Sequence, residues 1–391
     1  MNQPDCNVGD GVSSKNCMTR VPIVLPVISQ LPQMREAQVS FSSFKQPFVV
    51  GSIETPVGAM PRVASVLTAQ DKWGTVKARW GVGRMDYTVE PGLYALGNPD
   101  NESQVLVTAN YKMSFDRLRE ALPGRDAWLL ILDTKGINVW CAAGKGTFGT
   151  EELVRRIRVS GLDRVVTHRE LILPQLSGPG VAAHLVKKFF GFKVKYGPIR
   201  ASDLPDYLEA GLTATPKMRV KTFTLRERIA LVPIELVAAF KAAILLMLLF
   251  FLLGGLGGPE GYWANAMNYG LFAAVAILMA IISGAVVTPI LLPLLPGRAF
   301  SLKGCTTGVV AAFVLLIMRN PDLTFWPGRL DALSWLLLIP ALAAYLAMNF
   351  TGASTYTSLS GVKKEMRIAM PLEIGAGVAG VGLWLVSRFI A

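Results

Sequence analysis

The chain has 391 residues, room for about two domains, and is 52% hydrophobic but only 17% charged. That balance points to a membrane-embedded part. A net charge of +12 would suggest nucleic-acid binding in a soluble protein. Here much of the basic excess flanks apolar segments, where the cytoplasmic bias of Lys and Arg accounts for it, so no nucleic-acid partner is expected. The four cysteines, Cys6, Cys17, Cys141 and Cys305, are scattered and form no CxxC, which leaves no disulfide framework, zinc site or iron–sulfur cluster in the sequence.

Residues 1–61 read as an irregular lead containing Pro and Ser. No secretory signal is expected, because Lys15 is the first basic residue and the apolar stretch 21–31 is broken by Pro22 and Pro26. Cys6 and Cys17 read as incidental, with metal scavenging as the alternative. Residues 62–215 alternate short strand-like and helix-like runs. Strands are expected at 63–67, 105–108, 129–132, 165–167, 171–173 and 192–196. Helices are expected at 115–122, 181–190 and 151–159, the last capped by Thr150. This alternation predicts an α/β, Rossmann-like domain with a largely parallel sheet and a ligand site beyond the carboxyl ends of its strands.

Within that domain the stretch 133–150 stands out. An apolar run, 127–132, ends at Asp133 and Gly136; Asn138 is then a plausible N-cap that places Cys141 in the first turn of a short helix. Backbone N–H groups and the positive end of the helix dipole there favour a thiolate. Ala142, Ala143 and Gly144 are expected to keep the helix surface bare beside the sulfur, with Lys145 one turn on. The bland alternative is that a lone cysteine near a strand end is a small buried hydrophobe. Gly144, Gly146 and Gly149 do not form a phosphate-binding loop, since GxxxxGK[ST] is absent. The cobalamin motif DxHxxG is missing too, and His168 and His184 read as surface or hydrogen-bonding residues. Gly178-Pro179-Gly180 reads either as a turn before a helix or as close backbone approach to a ligand.

The octapeptide Asn138-Val-Trp-Cys-Ala-Ala-Gly-Lys145 resembles the signature of the mercury-methylating corrinoid protein family (HgcA), without a departure. The resemblance continues through Gly146-Thr-Phe-Gly-Thr150, residues 173–184, 349–352 and 360–366, covering roughly 60–391. It implies a cap helix over a cobalamin-type corrinoid, with Cys141 as the lower axial ligand of cobalt. The residues it implies for cofactor binding are Asn138, Val139, Trp140, Cys141, Ala142, Ala143, Gly144, Lys145, Thr147, Gly178, Pro179 and Gly180; Asp133, Lys145 and Thr147 are further hydrogen-bonding candidates for the ring's amides. The related corrinoid iron–sulfur protein of acetyl-CoA synthesis has a similar segment without the cysteine, so Cys141 favours the mercury branch.

A thiolate opposite a cobalt-bound methyl group pushes electrons toward the cobalt–carbon bond and favours release of a carbanion equivalent, for which Hg(II) is a soft acceptor. Such transfer consumes two electrons per turnover. The resemblance therefore implies a ferredoxin-like partner (HgcB) and a methyl donor from a methyltetrahydrofolate-linked pathway. Two other readings stay open: a membrane corrinoid methyltransferase with a different acceptor, and a non-enzymatic metal transporter or sensor.

Residues 216–391 read as a transmembrane domain with spans at about 233–254, 267–292, 304–318, 332–350 and 371–390. Pro289 and Pro293 predict a kink or early end in the second. The basic run Lys217–Arg228, the 298–303 loop and the 363–367 loop are expected on the cytoplasmic side of an inner membrane, with the C-terminus outside. Glu235 and Lys241 in the first span raise a transport pathway, with snorkelling as the simpler account. Cys305 reads as a packing residue or a soft-metal relay. The 349–366 segment, rich in Thr and Ser, reads as a loop that docks the soluble domain or a partner.

Overall fold

The computed structural model describes residues 44–353 and 359–390. Cys6, Cys17 and most of the expected irregular lead lie outside that range. The first described elements are β1 (Val49–Thr55) and β2 (Gly58–Val63), an antiparallel hairpin. Its turn is closed by Thr55, whose hydroxyl donates to the Gly58 carbonyl at 2.6 Å. This corrects the reading of 49–61 as irregular and of 63–67 as a strand.

The domain continues as α1 (Ala69–Arg79), β3 (Gly92–Leu96), β4 (Val105–Ala109), α2 (Lys112–Glu120), β5 (Ala127–Leu132), α3 (Val139–Lys145), α4 (Thr150–Ser160), α5 (Leu162–Val165), β6 (Glu170–Leu173), α6 (Ala183–Phe190), β7 (Lys193–Tyr196) and α7 (Leu204–Glu209). Helix α1 starts with a reciprocal capping box between Thr68 and Asp71. Where a strand at 165–167 was expected, Gly161 at φ 62° ends α4 and a further helical turn follows. Gly149, not Thr150, is the N-cap of α4; the Thr150 hydroxyl instead accepts the Ala182 N–H at 2.8 Å.

The seven strands form one sheet in the order β1-β2-β3-β5-β4-β6-β7. Pairings β2–β3, β4–β5, β4–β6 and β6–β7 are parallel, while β1–β2 and β3–β5 are antiparallel. Alternation along β5 feeds two cores. Trp128, Leu130 and Leu132 join Ala142, Phe148, Ile157 and Val186 on the face covered by α3, α4 and α6. Leu129 and Ile131 join Phe115, Leu118 and Tyr207 on the other, under α2 and α7. The result is a mixed α/β sheet domain with helices on both faces.

The remainder is helical: α8 (Leu225–Ile229), α9 (Val232–Gly254), α10 (Tyr262–Asn265), α11 (Leu271–Ile281), α12 (Thr288–Leu291), α13 (Phe300–Arg319), α14 (Trp326–Met348) and α15 (Leu359–Phe389). Helices α10, α11 and α12 are joined by π-helical turns into one rod, so among the described residues five helical runs are long and apolar enough to cross a membrane. The second wide turn leaves the Ser283 carbonyl to accept from the Thr288 hydroxyl at 2.7 Å. That rod ends at Leu291, before Pro293, as its prolines led us to expect. The 349–366 segment is not a loop throughout, because α15 begins at Leu359 and carries Lys363 to Met366 on a helix.

Candidate functional site

Strands β5, β4, β6 and β7 make a doubly wound core. The chain passes from β4 through α2 to β5, then crosses by α3 and α4 to β6 on the opposite side of β4. Connections leaving in opposite directions open a crevice at the carboxyl ends of β4 and β6, where such folds place ligands. A cavity of about 400 Å³ occupies that position. It is lined by Val107 and Thr108 of β4, Ile172 and Leu173 of β6, and Asn138, Val139 and Trp140 at the start of α3. The size falls within the range of small-ligand pockets.

Helix α3 is held over this rim from both ends. At its start the Asn138 side chain accepts the Cys141 N–H at 2.9 Å, the cap that the sequence predicted. At its end Gly146 adopts φ 82°. The loop leading in is fixed by a residue that sequence reasoning missed. Asn110, buried after β4, accepts the N–H groups of Thr134 and Gly136 through Oδ1 at 3.0 and 3.1 Å. A lone buried Asn carries no sequence signal of that role.

Val139, Ala142 and Ala143 are buried in the sheet core, while Cys141, Gly144 and Lys145 are exposed together on the outer face. Spacings of three and four residues put them there. The two alanines therefore seat the helix closely on the domain, and only Gly144 leaves the surface beside the sulfur bare, with no atom within 4 Å of where its Cβ would stand. The buried-hydrophobe alternative for Cys141 is overturned: its thiol is free and exposed.

The 178–180 turn adjoins α3, but its close approach is to the chain itself. A Cβ on Gly180 would lie 2.1 Å from the Phe148 carbonyl oxygen and 3.0 Å from Ala143 Cα. Gly178 and Pro179 are exposed on the same rim. Thr147 is half-buried, its hydroxyl 3.4 Å from the Ala142 carbonyl. Asp133 is engaged by Lys135: burial pushes its pKa up, but the lysine's hydrogen bond and charge outweigh that and hold it below the usual value. His168 is satisfied locally, with Nε2 2.9 Å from the Ser103 carbonyl and Nδ1 accepting from the Glu170 N–H. His184 is exposed on α6. Both behave as surface or hydrogen-bonding histidines.

In the helical half, Lys241 is exposed and Glu235 half-buried near the start of α9, while Cys305 is half-buried on α13. Among the described residues no cluster of three or more His, Cys, Asp or Glu is placed to hold a metal ion.

Residues 80–208 match the family described as CO dehydrogenase/acetyl-CoA synthase delta subunit. Curated relatives include the acetyl-CoA decarbonylase/synthase complex subunit gamma of Methanopyrus kandleri, 36% identical over 126 residues, 31% of this chain and 26% of that protein. The same subunit of Methanothermobacter thermautotrophicus is 30% identical over 128 residues, 32% of this chain and 28% of that protein. In Methanocaldococcus jannaschii it is 35% identical over 96 residues, 24% and 20%. The chain thus spans about a quarter of the length of these relatives, and the family match over 80–208 contains α3, the Asn110 loop and nearly all of the crevice.

Proposed function

We propose that the α/β domain binds a corrinoid over α3 and that the chain is a membrane corrinoid-dependent methyltransferase whose acceptor is Hg(II). The observation that carries this reading is Cys141: a free thiol on the outer face of a capped helix, beside a crevice at the carboxyl ends of the sheet. The similarity to the acetyl-CoA decarbonylase/synthase subunits supports the corrinoid, and the signature octapeptide supports the mercury acceptor.

The residues present fit such a group. Cys141 offers a soft donor, Gly144 leaves room beside the sulfur, and Asn138 and Trp140 lie where the crevice meets α3. When bound, the corrinoid would supply a methyl group with its bonding electron pair, which Hg(II) accepts to give methylmercury. The protein's part is to present one soft sulfur donor on a helix pinned by Asn138 and by the Asn110 loop. Gly178, Pro179 and Lys145, all exposed, are taken to contact the group's polar periphery. The two electrons consumed per transfer are taken to come from a ferredoxin-like partner, HgcB, and the methyl group from a methyltetrahydrofolate-linked donor. The distribution of Lys and Arg around the five apolar runs supports a cytoplasmic α/β domain and an outside C-terminus.

The test is anaerobic methylmercury formation from Hg(II) by membranes containing the full chain, a reductant and a methyl donor, beside Cys141→Ala. We expect the substitution to reduce product to background and to change the cobalt spectrum, while leaving thermal stability unchanged because the thiol is exposed. A corrinoid-loaded, reducible protein that makes no methylmercury would point to another methyl acceptor. Absence of bound corrinoid would leave a metal transporter or sensor as the reading.

A further inference from the structure

Four of the eight tryptophans are exposed. Two, Trp263 and Trp326, stand at the ends of the helical runs beside the 255–261 and 320–325 connections, where Phe325 and Tyr262 are exposed with them. These form the aromatic girdle expected at one membrane–water boundary. The other two, Trp73 and Trp80, belong to the α/β domain.

They lie on one face of α1. Residues 69, 72, 73, 76, 77 and 80 follow helical spacing, and all of them are exposed. Trp73, Val76 and Trp80 form an apolar stripe flanked by Lys72 and Lys77, and the turn behind it adds Val82 and Met85, 61% and 63% exposed. Of the two acids between 69 and 86, Asp71 is buried against Lys112, so the exposed charge is chiefly basic. The turn also reaches the first span. Gly81, at φ 76°, packs so that a Cβ would lie 3.4 Å from Ile234 and 3.7 Å from Val237, in the first two turns of α9.

We infer that α1 and the 80–85 turn form a membrane-seating surface, laid on an anionic leaflet at the level where α9 enters it. The inference rests on the reading that α9 crosses a bilayer. Tryptophan rings, an aliphatic stripe and flanking lysines are the composition of an interfacial helix face. The contact of Gly81 with α9 fixes this face beside the entry point. Arg79, just before Trp80, lines the crevice next to α3, so the seated helix is also a wall of the candidate cofactor site.

The test uses the full chain with its native cysteines replaced by serine, reconstituted into phosphatidylcholine vesicles with or without phosphatidylglycerol. A bimane fluorophore is attached at Val76→Cys, at Leu248→Cys on α9, or at Lys188→Cys on α6. We expect spin-labelled lipid to quench Val76→Cys and Leu248→Cys, aqueous iodide to quench Lys188→Cys, and phosphatidylglycerol to increase the lipid quenching at Val76→Cys. Adding Trp73→Asp and Trp80→Asp should abolish the lipid quenching at Val76→Cys alone. If iodide quenched Val76→Cys as strongly as Lys188→Cys while Leu248→Cys stayed lipid-quenched, the seating surface would be wrong and the spanning helix intact. Protection of Val76→Cys from both quenchers would mean a protein covers the face and would equally overturn the inference. An unquenched Leu248→Cys would remove the spanning reading itself, and the seating surface with it.

Discussion

Large aromatic side chains fill the cores of both halves of the chain, Phe250, Trp335 and Trp384 in the helical one, and the helical half adds close glycine contacts between paired helices. In the α/β domain large side chains fill both faces of the sheet, with Trp128, Phe148 and Phe192 on one and Tyr94, Phe115 and Tyr207 on the other. In the helical half α13 meets α14 along Gly304 and Gly308, where a Cβ would stand 2.6 Å from the Ala343 carbonyl oxygen and from Pro340 Cα. Gly254 and Gly270 bring α9 and the second run together in the same way. Water drives bulky apolar groups into a core, whereas lipid tails give no such push, so helices in hydrocarbon gain most from close backbone approach. Arg388 of α15 is turned inward onto Asp331 at 3.2 Å and over the Tyr269 ring, while α3 carries its thiol outward into solvent.

Both halves bury ions, and the α/β cluster is the sharper place to break the comparison. Lys112 lies 2.7 Å from both Asp71 and Asp116, and Arg119 lies 2.8 Å from the same two carboxylates, tying α1 to α2. Removing one partner of a buried ion cluster leaves uncompensated charge, so Lys112→Ala should destabilise the α/β domain by about 3–5 kcal/mol. Denaturant unfolding followed through that domain measures it, and a loss under about 1 kcal/mol would mean the cluster behaves like a solvated surface pair. Gly304→Leu probes the other half. Overpacking the α13–α14 contact should cost about 1–3 kcal/mol, read as a lower melting temperature in detergent with the α/β domain's spectrum retained. An unchanged melting temperature would show that α13 and α14 do not rely on close approach.

Acid should act on the α/β half through the same cluster. Burial alone would raise the Asp71 pKa, but hydrogen bonds from Lys112, the Thr68 backbone and Arg119 outweigh it and hold the carboxyl well below its ordinary 3.8. A folded value below the unfolded one gives stability that is present above the unfolded pKa and lost as pH falls through and below it. Unfolding free energy should therefore decline below about pH 4, and Lys112→Ala should flatten that decline. Equal acid slopes in the two proteins would remove Asp71 from the account.

Elements held by local chemistry were legible in the sequence, and those held by distant contacts were not. Apolar runs revealed five membrane-length helices, although α14 and α15 start earlier than hydropathy alone suggests because Trp326 and Lys363 sit on continuing helix. Asn138 was legible as a cap because its partner is three residues away. The β1–β2 hairpin was not, since its strands become regular only by pairing with each other and with β3. Asn110 was hidden for a similar reason: the groups it accepts lie more than twenty residues on. The outward set Cys141, Gly144 and Lys145 was available from helical spacing, and the same spacing sends Ala142 and Ala143 inward. Reading all the small residues as one bare surface overlooked that division.

The smallest expected effect tests how α3 holds its cysteine. A seven-residue helix has few hydrogen bonds of its own, so the Asn138 cap is a large share of its local stability. Asn138→Ala should cost about 1 kcal/mol and free the Cys141 N–H, without unfolding a domain whose core α3 touches only through Val139, Ala142 and Ala143. Asn138→Asp keeps an acceptor at the same place and should restore the cap. Hydrogen exchange across 139–145 is the measurement: faster in Asn138→Ala, near normal in Asn138→Asp, and unchanged elsewhere in the sheet. Exchange unchanged in both would mean that the three buried side chains alone fix the helix and that the thiol's position does not depend on its cap. Faster exchange throughout the sheet would mean that α3 belongs to the cooperative core, unlike the separable outward platform its exposed face describes.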